Sequence, residues 1–497
     1  MSATATRKMF NESLATIGFQ MFSYIAGFLL IPIIVETSGA ETYGYYVIII
    51  SLIGIVSASS PFGLDFTLRR FMPSLDNKKD RERVFYPQFY FNMISAIAWA
   101  FIIFSFYPII EKTFLDSTLD FTPWLVAPYL VLLTIYSQVV SIFRYADRIL
   151  FFNFMTMINP YILLALILIW EMLIGTTSIN SLVISQILAL TLVILCALKP
   201  AIKLVGFGLI WYKQHDFTRD IKFGLPLIAV VVFEQIISVS DRYVIAAYLD
   251  VRSVALYAIA YAVGSIPLLY LKAIGVVAPP ILARLKDQGR RKEIGGKINV
   301  IISIYLMVVF PFTLGTIILG EPLLFLYVGQ DTGSAAAGLL PIISAAMFFY
   351  GASSFLIMIL FVELKTSAIF TAQIVAGSVN VVANILLIYL YRDIHVAAWT
   401  TLASYVSALV IALQFVDTEY RIELIGLRAV KTAFSALAMF LFLYLLKFIG
   451  LDFYTMGGLL IAITTGGIMY LLLLWVTQAI SYKELISNFG SAKQQDV

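Results

Sequence analysis

Phe223 to Leu249 reads FGLPLIAVVVFEQIISVSDRYVIAAYL. The run is apolar enough, and long enough, to cross a bilayer as one helix. Yet it holds Glu234, Asp241 and Arg242 inside or close to the hydrocarbon. A charge at the centre of such a helix costs roughly 2.5–3.5 kcal/mol even on a lenient insertion scale. Charges kept at that cost face a water-filled cavity or a partner. The run therefore reads as the opening helix of the second half of a two-lobed transporter, with a wet cavity between the lobes.

Composition agrees with this. Of 497 residues, 61% are hydrophobic and 12% charged, and mean hydropathy is +0.94. A soluble chain of this length would carry far more charge. The apolar residues fall in runs of about 18–25, as a bilayer-crossing helix requires. The chain is expected to be an all-α polytopic membrane protein. About fourteen spans can be placed, near 14–35, 43–64, 86–109, 123–143, 150–170, 179–198, 223–247, 254–277, 298–319, 336–362, 367–390, 395–416, 432–449 and 456–478.

Alternate connections hold about 27 of the 33 Lys and Arg, a bias that sets orientation. Arg69, Arg70, Lys78, Lys79, Arg81 and Arg83 share one loop; Arg284, Lys286, Arg290, Arg291, Lys292 and Lys297 share another. The bias predicts both termini in the cytoplasm. Met1 to Asn11 is short and polar, so no cleavable signal is expected. IPIIVETSGAETYGYY (31–46) and VIAAYLDVRSVALYAIAY (244–261) repeat one arrangement a half-chain apart. Six spans before the break at 199–222 and six after it predict parallel repeats. The expected domains are 1–220, 221–431 and a C-terminal helix pair with its tail, 432–497.

Several chemistries are not readable. The single Cys196 permits no intramolecular disulfide and no Cys-based metal site. His215 and His395 lie far apart and read as loop or interface residues. No Gly-rich loop ending in Gly-Lys-Ser/Thr is present, so no built-in ATPase is expected. Nothing suggests an enzyme, a cofactor or a nucleic-acid partner.

The polar residues inside spans are the candidates for function. Glu234, Ser238 and Asp241 stand at i, i+4 and i+7 on one helix face, with Gln235 and Arg242 beside them. One reading is a cavity site where Arg242 holds an anionic head group and Glu234 cycles a proton, since burial raises a carboxyl's pKa. The other is that Asp241 and Arg242 pair with loop groups at the outer interface. Lys272, after Tyr257, Tyr261, Ser265 and Tyr270, either binds phosphate as a point charge or snorkels to the interface. Arg69 and Arg70, after Gly63 and Asp65, either catch a diphosphate or simply anchor the inner end of the second span. Gln373, Asn380 and Asn384 mark one face of the eleventh span. Such amides, with rings such as Tyr257 and Tyr261, suit sugar hydroxyls and sugar faces; they equally suit helix–helix hydrogen bonding.

Residues 39–73, GAETYGYYVIIISLIGIVSASSPFGLDFTLRRFMP, carry a family resemblance. Tyr43-Gly44, Gly63-Leu64 and Arg69-Arg70 resemble the N-terminal signature of the polysaccharide transporter family of bacterial oligosaccharide flippases. Leu225-Pro226, Asp241-Arg242-Tyr243, Leu256-Tyr257 and Ala260-Tyr261 resemble its second half. The resemblance implies membership of the multidrug, oligosaccharidyl-lipid and polysaccharide exporter superfamily. It implies two six-helix lobes in a V, a cationic central cavity and ion-driven alternating access. The implied substrate is an undecaprenyl-diphosphate-linked oligosaccharide, moved from the inner to the outer leaflet of a bacterial inner membrane for O-antigen, capsule or exopolysaccharide. Implied partners, besides membrane lipids, are polysaccharide polymerase and glycosyltransferases. Two extra C-terminal helices are also seen in the related lipid II flippases.

An alternative is a cation-coupled exporter of small amphipathic compounds. Such exporters commonly carry an acidic residue in the first span, and Leu14 to Val35 has none. The lipid II flippases typically carry several Arg in the first two spans, and this first span has none.

Overall fold

Apolar runs without water to bond their backbone can only close it internally, and a helix does so within one segment. The computed structural model describes residues 3–75, 77–115, 120–424 and 426–479, and among them the regular elements are all helical. They fall into two compact units, Met1–Ala255 and Leu256–Val497.

The first unit contains α1 (Ala3–Ser59), α2 (Leu64–Phe71), α3 (Lys78–Phe114), α4 (Val126–Tyr145), α5 (Ile149–Ile174), α6 (Ile179–Val205), α7 (Gln214–Tyr248) and the first turn of α8 (Val251–Gly264). At 57 residues, α1 would be about 85 Å long if straight, far more than one crossing of about 30 Å. It breaks at Gly39, whose φ of 84° and ψ of 160° belong to a region essentially restricted to glycine. A second sharp turn follows at Phe62 and Gly63, both at positive φ. There the backbone of Gly63 meets that of Gly224 on α7 so closely that a Cβ on either would overlap the other's carbonyl. The core below gathers Leu68, Met72, Phe85, Phe143 and Met155.

The second unit continues α8 and adds α9 (Leu268–Asp287), α10 (Arg291–Val328), α11 (Gln330–Ala337), α12 (Leu339–Val362), α13 (Thr366–Tyr391), α14 (His395–Phe415), α15 (Leu427–Phe448) and α16 (Met456–Val476). Small residues let its helices approach: Ala368, Ala372 and Ala376 on α13 and Ala397, Ala408 and Ala412 on α14 are buried. Gly351 on α12 accepts the ring of Tyr305 from α10, whose hydroxyl donates to the Met347 carbonyl at 2.6 Å. The C-terminal pair docks on α10 through a shared apolar cluster and a Tyr470 bond to the Met307 carbonyl, 2.8 Å.

Eleven described helices are long and apolar enough to cross a membrane, and a bent pair makes a twelfth. α1 covers two of the expected crossings, on either side of Gly39, and α7 covers the expected 223–247. One expectation needs correction. The span placed at 254–277 is two helices, α8 and α9, bent by 60°. Pro267 sits at the N-cap of α9; with no backbone N–H to donate, proline ends a helix readily and starts one easily.

The Gly63–Gly224 contact yields a stability prediction. Gly224→Ala should destabilise the protein by about 1–3 kcal/mol, and Gly63→Ala by more, because Gly63 also holds a positive φ. Thermal unfolding in detergent, set beside Gly467→Ala, where a Cβ meets open space, checks it.

Candidate functional site

The first unit brings a set of cations to the end of α1 that the turn at Gly63 creates. Asp65 opens α2 and pairs with Arg69 one turn on, 3.2 Å. Arg69 also lies 5.1 Å from the Phe66 ring centre and beside the Tyr145 hydroxyl. Arg70 stands over two rings, Phe71 at 5.6 Å and Phe223 of α7 at 5.1 Å. Arg219 covers Phe71 from 5.7 Å and binds the buried Asp220 at 2.9 Å. Arg69, Arg70 and Arg219 are exposed. Cations stacked on rings keep their outward N–H groups available, and the guanidinium fork matches a phosphate. Burial pushes the Asp65 carboxyl above its usual range, and the Arg69 charge offsets this in part.

A buried stripe on α3 backs this turn. Gln88, Asn92 and Ser95 stand at i, i+4 and i+7 and are all buried. Gln88 donates to Thr67 at 2.5 Å, and Ser95 donates to the Ser60 carbonyl at 2.7 Å. Asn92, between them, has neither amide atom paired among the described residues. These residues were not among the sequence candidates. Their i, i+4, i+7 spacing in an apolar run was the available signal.

On α7, Asp241 is buried and accepts the backbone N–H of Arg242 at 3.0 Å. The Arg242 guanidinium donates to the Ser238 carbonyl at 2.9 Å and lies 3.9 Å from Asp241. Its side chain is mostly covered. The Glu234 side chain lies outside the described residues, as does that of His215.

In the second unit, the expected sugar ligands join one another. Tyr257 shares a hydrogen bond with Thr401 at 3.0 Å; Asn380 donates to Thr401 at 3.3 Å and Asn384 to Asn380 at 3.3 Å. Thr400 closes the set by donating to Asn384 at 2.6 Å. Tyr257 and Asn384 are completely buried. This chain of polar groups ties α8, α13 and α14 together, the geometry of helix–helix hydrogen bonding. Tyr261 is half-buried and shares a bond with Tyr405 at 3.2 Å. Lys272 is exposed on α9. Sequence reasoning also passed over Glu363. It is nearly buried, 3.6 Å from both Lys286 and Arg291, and accepts from the Tyr420 hydroxyl. This one carboxylate ties the α9–α10 and α12–α13 turns to the segment after α14.

Among the described residues no group of three or more His, Cys, Asp and Glu is placed to hold a metal ion.

A family profile described as polysaccharide biosynthesis protein matches residues 39–336. The chain belongs to the polysaccharide biosynthesis protein family. No curated protein sequence matches it. Among solved structures, this family member resembles the lipid II flippase MurJ in an inward closed conformation, with a TM-score of 0.74 and 17% identity over 96% of this chain and 100% of that one. It also resembles the Vibrio cholerae MATE transporter VcmN (TM-score 0.55, 14% identity, 85% and 98% covered). An inward-facing multidrug resistance MATE transporter of the MOP superfamily gives 0.57 at 12% identity, with 80% and 92% covered. At these identities the likeness is one of fold. Together with its apolar helices, it makes this polysaccharide biosynthesis family member a multi-pass membrane protein.

Two measurements test the site geometry. A carboxyl whose folded pKa is raised binds protons more readily folded than unfolded, so it favours the fold at low pH and disfavours it as pH rises through that pKa. Asp65→Asn should therefore gain thermal stability relative to wild type as pH is raised from the acid range to neutral, the difference vanishing at low pH. Asn384→Ala should cost about 1–3 kcal/mol, because it leaves the buried Asn380 and Thr400 groups unmatched; an unfolding midpoint equal to wild type would contradict the network.

Proposed function

We propose that the protein flips an undecaprenyl-diphosphate-linked oligosaccharide from the inner to the outer leaflet of a bacterial cytoplasmic membrane. The observation that carries this is a polysaccharide biosynthesis family match on a chain whose fold resembles those of a lipid II flippase and of a MOP-superfamily transporter. A lipid-linked glycan is the polysaccharide intermediate that needs a membrane protein of this kind to cross, since its diphosphate and sugars cannot enter hydrocarbon unaided.

In this reading the two six-span halves, meeting near 220, alternate access to the two leaflets, with both termini on the cytoplasmic side. The diphosphate meets Arg69 and Arg70 on entry, and their ring-stacked guanidinium groups hold it through paired N–H donors. It then passes to Arg242 and Lys272. Asp241 holds Arg242 in place, and Tyr261 faces the glycan while the polyprenyl tail stays in lipid. An ion or proton on Glu234 biases the equilibrium between the two access states, and it can do so only through a difference in affinity between them. Polysaccharide polymerase and glycosyltransferases would act on either side of this step. The rival reading, a cation-coupled exporter of amphipathic compounds, draws on the fold likeness to MATE transporters. It requires carboxylates, and not arginines, to carry activity.

Reconstituted vesicles loaded with an undecaprenyl-diphosphate oligosaccharide test both. Wild type should flip the lipid, Arg242→Ala should lose at least about tenfold in rate, the loss of one desolvated charge-assisted contact, and Glu234→Gln should lose dependence on the ion gradient. Efflux of a cationic dye with no lipid flipping would replace this reading with the rival.

A further inference from the structure

Between α6 and α7 the chain runs through a segment without helix, GFGLIWYK, residues 206–213. Its alternate side chains part. Phe207, Leu209 and Trp211 are 73%, 79% and 60% exposed, whereas Ile210 packs on the core that holds Phe85 and Tyr86. Two hydroxyls of α3 pin the inner edge. Tyr86 donates to the Gly206 carbonyl at 2.6 Å, and Tyr90 donates to the Gly208 carbonyl at 2.9 Å. The rings follow the same order, Tyr86 beside Phe207 at 6.2 Å and Tyr90 beside Trp211 at 5.3 Å.

That order gives a direction. From Tyr86 to Tyr90 is about 6 Å along a helix, and from Gly206 to Gly208 is about 6.6 Å along an extended chain. The segment therefore runs beside α3 in the direction in which α3 passes from its charged start, Lys78–Arg83, into its apolar run. α6 leaves the apolar layer at its end, and the chain turns back toward it. Non-helical backbone is tolerated at such a depth only where its polar groups find partners, and the two tyrosines supply them for the carbonyls that face α3. Lys199, Lys203 and Lys213 are exposed around the segment, with no acidic residue between the first and last of them.

We propose that residues 206–213 form an interfacial anchor. Phe207, Leu209 and Trp211 enter the boundary between headgroups and acyl chains of the leaflet on the basic side, and Lys199, Lys203 and Lys213 hold anionic phospholipid headgroups there. Aromatic side chains favour that boundary, and lysine stems reach from it to phosphate. The charge is complementary to an anionic lipid surface. This use of the segment does not depend on what the protein transports.

The test uses the full chain with Cys196→Ser and single nitroxide-labelled cysteines at positions 207, 209, 210 and 211. The protein is placed in vesicles of phosphatidylethanolamine and phosphatidylglycerol. Labels at 207, 209 and 211 should be several-fold more accessible to oxygen than to a water-soluble nickel chelate, and the label at 210 should be shielded from both. Exchanging phosphatidylglycerol for phosphatidylcholine, or replacing the three lysines with Gln, should lower the oxygen-to-nickel ratio at the three outer positions. High nickel access at 207, 209 and 211 overturns the anchor and leaves the face to a soluble partner. A ratio indifferent to both the lipid and the lysine changes overturns the headgroup contact.

Discussion

A polar group placed in hydrocarbon has no water to bond, so each one left there must find its partner inside the protein. The two units meet this demand differently. In the second, Tyr257, Asn380, Asn384, Thr400 and Thr401 bond one another across three helices, and Ser404 reaches the Ala376 carbonyl at 2.7 Å. In the first, Gln88 of α3 bonds Thr67 of α2 and Ser95 bonds the Ser60 carbonyl in the turn before it, while Asn92 between them meets no partner among the described residues. The helices pack where alanines and glycines let them come close enough for such bonds to form.

The cations follow a related logic. Arg70 rests on two phenylalanine rings, Arg69 on a ring and a carboxylate, Arg219 on a ring and the buried Asp220, and Lys286 and Arg291 on a single nearly buried Glu363. A guanidinium over a ring is positioned without being neutralised, whereas one beside a buried carboxylate is spent on holding loops together. By this criterion Arg70 of the first unit is better prepared for an anionic visitor than the Glu363 cluster of the second.

The fold class was legible because hydrophobic run length is a local property. The corner in α1 was also close to legible, since IPIIVETSGAETYGYY places a glycine among polar residues between two apolar runs. The bend between α8 and α9 was not, because Ser265-Ile266-Pro267 lies in a run whose composition passes for a single span. Partner choice was invisible for a different reason. Tyr257 finds Thr401, and Gln88 finds Thr67, only once the rotation and depth of two separate helices are fixed, and no single helix encodes either. The alternation in 206–213 spans too few residues to stand out from a basic loop. Asn380 and Asn384 were correctly seen as one face of a helix, but which neighbour that face would meet depended on α14.

Gly39 would usually be taken for a swivel. Its backbone angles lie where a residue with a side chain would clash, so glycine is the residue that can hold this corner. Thr37 and Thr177 share a hydrogen bond at 2.9 Å, and Ser38 also bonds Thr177. The turn between α5 and α6 thus clamps the residues just before the corner. The corner is held from outside as well as by its own backbone: one threonine of another helix pair fixes the place where α1 changes direction, so α1, α5 and α6 share a point of attachment there.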